Sequence, residues 1–147
     1  MKWRWRLGEA FGIVVYMHVT FLLLLAWFAF IPLAQGRGWS GAAAGIVFIV
    51  LLFLCVVMHE YGHSLTARRY GIQTRDITLL PIGGVSSLER MPRDPAQELS
   101  VALAGPAVNI GIAALLTVVL LLLGQTPSLT NVRLDSAHLL NDLWSMN

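Results

Sequence analysis

Three long intervals of the chain carry no charge, and short polar links separate them. The first runs from Ala10 to Gly36 around the apolar core Val19–Ile31. The second begins near Ala42 and continues through Gly45–Val57 to about Leu65. The third begins after Glu98, and the next charge is Arg133. A membrane helix needs roughly 20 predominantly apolar residues. The pattern therefore predicts three membrane spans, at about 14–34, 42–66 and 97–123. Between the second and third, Pro81 and Gly83-Gly84 forbid a stable helix. Ile77–Leu80 and Val85–Leu88 there read as two short strands around a turn. A membrane-associated hairpin is expected over about 72–91, because cavity-lining backbone is tolerated at membrane depth. Ser136–Asn147 has the pattern of a helix that has only begun. The expected fold is a single all-α polytopic membrane domain: three transmembrane helices, the start of a fourth, and one hairpin.

Composition narrows the class. Of 147 residues, 56% are hydrophobic and only 12% are charged, against about 25% charged in soluble domains. Ordinary soluble and disordered chains are excluded, and the lipid bilayer is the expected surrounding. The net charge of +2 gives no case for nucleic acid as a partner. The one cysteine, Cys55, lies within an apolar run and reads as packing.

The basic residues speak to topology. Lys2, Arg4 and Arg6 precede the first span, beside Trp3 and Trp5, which read as interfacial anchors. Arg68, Arg69, Arg75, Arg90 and Arg93 flank the hairpin, whereas the other two links hold Arg37 and Arg133. The positive-inside rule then puts the N-terminus and the hairpin on the cytosolic side of a multi-pass protein, expected in a prokaryotic cell membrane.

The chemistry concentrates in His59-Glu60-Tyr61-Gly62-His63, at the end of the second apolar run. Residues four apart share a helix face, so His59 and His63 present two imidazoles to one point, a donor pair that suits Zn2+. Glu60 can act on water at such a metal without being a ligand. This is the His-Glu-x-x-His arrangement of two ligands and a general base. Three polar residues idle at a wet helix end would be the plain explanation, but ionisable groups within a membrane segment are costly and usually functional. His18, by contrast, reads as an interfacial or packed histidine. Asn109, polar within the third apolar interval, suits either an interhelical hydrogen bond or a donor facing the metal site. Gly83 and Gly84 let another strand approach closely, so the hairpin edge could pair with an extended peptide.

These pieces resemble the site-2 proteases, the intramembrane zinc metalloproteases. The matching segments are His59–His63, Leu80-Pro81-Ile82-Gly83-Gly84 and Gly105-Pro106-Ala107-Val108-Asn109, in family order over nearly the whole chain. The resemblance implies His59 and His63 as zinc ligands and Glu60 as the catalytic base. It also implies substrate contact by the hairpin, an active-site role for Asn109, and membrane-protein helices as substrates of regulated intramembrane proteolysis. The family's third protein ligand is an aspartate in a later segment that this sequence lacks, and Asp142–Asn147 resembles the start of the helix that would carry it. A C-terminally truncated chain is therefore expected, one that is inactive alone. Glu89, Glu98, His138 and Asp142 are the other candidates for a third ligand, none in a matching motif. An inactive fragment or a non-catalytic metal-binding membrane protein is the alternative function, although a transporter should show polar groups along a path and only one cluster is present.

Overall fold

The structure is a computed structural model and describes residues 3–90 and 92–124. Its elements run β1 (Arg4–Ala10), β2 (Ile13–His18), α1 (Phe21–Ala34), α2 (Gly38–Arg69), β3 (Thr74–Leu80), β4 (Gly83–Leu88) and α3 (Pro95–Leu122). The all-α expectation is corrected by a four-stranded mixed sheet of order β1-β2-β3-β4. The two outer pairings are antiparallel, and β2 pairs with β3 in parallel. A parallel pair needs a crossover, and α1 and α2 together supply it.

The first expected span is also corrected. The interval 14–34 is not one helix: β2 takes Ile13–His18, and α1 holds only 14 residues. At 1.5 Å per residue, α1 is about 21 Å long, short of a hydrocarbon core of about 30 Å. Among the described residues, two helices, α2 and α3, are long and apolar enough to cross a membrane. The physical reason lies in Ile13-Val14-Val15-Tyr16, β-branched and aromatic residues that favour a strand and whose alternate members, Ile13 and Val15, are buried. The segment before it becomes β1 through a two-residue turn, where Phe11 (φ 53°) and Gly12 (φ 75°) are both left-handed, as a hairpin turn of the primed type demands. The expected hairpin exists as β3–β4, but as half of this sheet rather than a separate feature. The helix expected at Ser136–Asn147 lies outside the described residues.

The sheet has two unlike faces. Met17, Leu79 and Gly84 form one cross-strand row, and Tyr16, Thr78 and Val85 the next. The first row turns toward α2. The second lies on the face where Arg4 donates to Asp76 at 3.1 Å and to Thr78 at 3.3 Å, its guanidinium 4.7 Å from the Tyr16 ring centre. Ile13, Val15, Ile77 and Leu79 form one buried cluster with Phe21, Ile49, Phe53 and Tyr61. Phe21 meets Phe53 edge-on at 4.4 Å between ring centres. Higher on the same pair of helices, Gly45 lies against the Phe28 carbonyl so closely that a Cβ would collide with it. Close approach at small residues is how apolar helices associate where lipid removes the hydrophobic driving force.

A second small cluster, of Ala67, Ile72 and Val101 with Leu88 alongside, fixes the first turns of α3 against the end of α2. By compactness the chain divides at Ile112–Ala113. The sheet, α1, α2, the start of α3 and the site below belong to the first unit; the described residues of the second are the remaining turns of α3 and the residues that end it.

Candidate metal centre

Each residue of His59–His63 has a different neighbour, as a helix that is packed on several sides requires. Tyr61 faces the sheet: its hydroxyl lies 3.3 Å from the Ala10 carbonyl oxygen and 3.4 Å from that of Ile13. Together with the Arg68 bond to the Phe11 carbonyl, at 2.9 Å, this ties α2 to the β1–β2 turn. Gly62 faces α3, where an added Cβ would lie 2.7 Å from the Ala104 carbonyl oxygen. Neither residue was singled out by sequence reasoning. The signal for Gly62 was its place in a helix that must pack, and Tyr61 gave none.

The two histidines converge. Their Nε2 atoms lie 3.0 Å apart, with the rings nearly perpendicular at 79°. His63 Nδ1 lies 2.7 Å from the Val101 carbonyl oxygen. A carbonyl only accepts, so Nδ1 carries the proton and Nε2 keeps its lone pair. His59 Nδ1 lies 3.2 Å from the Asn109 amide. The oxygen and nitrogen of such an amide are interchangeable by a flip; with its oxygen toward the ring, it accepts from Nδ1 and leaves the His59 Nε2 lone pair free as well. Partners of this kind fix the tautomer of metal-binding histidines.

The donor set fits zinc. Two nitrogens held tetrahedrally at roughly 2.0–2.1 Å from one ion sit about 3.3 Å apart, so the observed 3.0 Å needs only a slight opening. Gly105 supplies the space: a Cβ there would stand 2.7 Å from His59 Nε2 and 2.6 Å from His63 Cε1. Among the described residues, no group of three His, Cys, Asp or Glu is assembled for a metal. Of the other candidate ligands, Glu89 faces Arg75 at 3.9 Å, Glu98 lines a cavity beside His63, and His138 and Asp142 lie outside the described residues. His18 bonds Thr20 at 2.8 Å at the end of β2.

Glu60 is half-buried under the hairpin. A Cβ on Gly84 would lie 2.7 Å from Glu60 Cγ and 3.1 Å from Val56 Cγ1. The bare backbone at 84 therefore makes room for the carboxylate side chain. Gly83 has open space around it, and its φ of +139° explains why glycine stands there. Asn109 and Gly105 of α3 and Gly84 of β4 thus come together around His59, Glu60 and His63 of α2.

A helix that presents His-Glu-x-x-His with its two Nε2 atoms 3.0 Å apart has the donor arrangement of a zinc-metallopeptidase type of site. A profile of Peptidase family M50 matches residues 47–145, and the chain belongs to that family, the site-2 proteases. A zinc metalloprotease of Methanocaldococcus jannaschii is 36% identical over 81% of this chain and 33% of its own length. A protein of Synechocystis named as a putative zinc metalloprotease is 38% identical over 78% of this chain and 32% of its own. The solved site-2 protease of M. jannaschii superposes with a TM-score of 0.64 at 35% identity, covering 79% of this chain and 50% of that one. The chain spans about a third of the length of these curated relatives. The names of the relatives imply zinc as the family's metal.

Proposed function

We propose that the protein is an intramembrane zinc metalloendopeptidase that cleaves transmembrane segments of membrane-protein substrates within regulated intramembrane proteolysis. The observation that carries this is the 3.0 Å approach of His59 Nε2 and His63 Nε2 with Glu60 between them in sequence. His59 and His63 would hold the metal. Zinc, when bound, supplies an acidified water and a polarised carbonyl. Glu60 takes the proton of the attacking water and hands it to the leaving amine. Asn109 orients His59, and the Val101 carbonyl orients His63. A helical substrate hides its carbonyls, so it unwinds locally; β4, an edge strand of the sheet, offers free backbone groups to the extended stretch. Gly83 and Gly84 sit where that stretch would pass, and Gly84 keeps Glu60 in place.

α2 and α3 cross a prokaryotic cell membrane, and α1, too short for a full span by itself and packed along the first half of α2, carries the chain from the sheet to the Arg37 end. The sheet and the His59 end of α2 lie toward the cytosol, because Arg68, Arg69, Arg90 and Arg93 gather at that end and Arg37 stands at the other. The test is cleavage of a membrane-helix reporter by the purified full-length protein in lipid. Chelation should abolish cleavage and added zinc should restore it; cleavage that survives full zinc removal would overturn the proposal.

A further inference from the structure

Beside His63, between β4 and the start of α3, lies a cavity of about 320 Å3. Leu88, Pro92, Val101 and Ala102 give it apolar walls, His63 borders it, and Ser86 and Glu98 are its other polar groups. Neither is needed by the chemistry assigned above. We infer that this cavity is a substrate side-chain subsite that selects an arginine or lysine flanking the scissile bond, with Glu98 receiving the cationic head. The inference rests on the protease reading of the His59–His63 site.

Three observations converge on it. First, Gly84 and Ser86 are two apart on β4, so they face the same side of the sheet, one over Glu60 and the other into the cavity. A peptide added to β4 presents its alternate side chains to that same side. One of its residues sits over Glu60, and a residue two positions along meets the cavity. Second, the lining suits a long stem with a charged tip. Arg and Lys bury their methylenes along apolar surface and keep the charge at the edge. Third, Glu98 is exposed and forms no ion pair among the described residues, where Asp76, Glu9 and Glu89 each have an arginine. It stands about one helical turn before Val101 and Ala102, so a head group there is held away from the histidine pair. A substrate glutamate in this cavity would meet the carboxylate and be rejected.

The test uses the zinc-loaded full-length protein in lipid and a reporter helix whose residues around the cleavage point are changed one at a time to Arg, Lys, Leu or Glu. At one position Arg and Lys should exceed Glu in kcat/KM by about tenfold, and Glu98→Lys should reverse that order. A second measurement needs no turnover. In a Cys55→Ala, Glu60→Gln background, Ala102→Cys should form a disulfide with a cysteine at that same reporter position and not with its immediate neighbours. Unchanged charge preference in Glu98→Lys, or cross-linking without positional preference, overturns the subsite. Cleavage with no charge preference overturns the subsite and leaves the protease reading standing; absence of zinc-dependent cleavage overturns the protease reading and the subsite that rests on it.

Discussion

At the scale of single residues, the two histidines owe their usefulness to atoms that are not ligands. The Val101 carbonyl and the Asn109 amide each take the far side of an imidazole, which leaves both Nε2 atoms facing each other. Gly105 then keeps the space in front of them clear. Two substitutions test this directly. Asn109→Ala removes the partner of His59 and should weaken zinc binding by about 10–100-fold. Gly105→Ala places a methyl group among the ring nitrogens and should also lower zinc occupancy, with the fold retained. Zinc titration against a competing chelator measures both, and wild-type affinity in the two variants would contradict the arrangement. The convergence of His59 and His63 was legible from spacing alone, because a four-residue interval on a helix puts both side chains on one face. Gly105 was legible only as part of the Gly105–Asn109 segment that resembles the site-2 proteases; that its missing Cβ faces the histidine rings depends on how α3 is rotated, which no local pattern encodes.

At the scale of elements, the sheet is where sequence and structure part. The charge-free stretch from Ala10 to Gly36 satisfies a length criterion for one span, yet it folds as a turn, a strand and a 14-residue helix. Length and apolarity do not distinguish a buried strand from part of a membrane helix. The distinguishing cue was the alternation of Trp3, Arg4, Trp5 and Arg6 followed by the β-branched run after Gly12. β3 and β4 were legible because Pro81 and Gly83-Gly84 punctuate them, but their pairing with β2, more than 50 residues earlier, is a long-range fact. One consequence concerns Gly84. Its neighbour is Glu60, so Gly84→Val should push the carboxylate aside and reduce cleavage at least tenfold, while zinc content stays near that of the wild type. Loss of zinc or of expression together with activity would show instead that the hairpin supports the fold.

At the scale of the whole molecule, α2 organises everything described. Its first half packs on α1, its second half on the sheet, and its last turns on the start of α3. The histidine pair sits where sheet and α3 both reach it. Under the proposed function, the apolar helices would bring the peptide bond of a membrane substrate to this depth, and the edge strand would offer the hydrogen bonds that an unwound helix has lost. The orientation can be tested by cysteine labelling in a Cys55→Ala background: Arg37→Cys should react from outside the cell and Arg93→Cys only from the cytosol, and reaction of both from one side would contradict it. The central claim is that His59 and His63 hold zinc while Glu60 performs proton transfer, and one measurement separates those roles. The full-length Glu60→Gln protein is assayed for cleavage of a membrane-helix reporter, and its zinc content is measured on the same sample. Glutamine keeps the shape and loses the base, so cleavage should fall to background while zinc remains at the wild-type level. Cleavage at the wild-type rate by that variant would contradict the account.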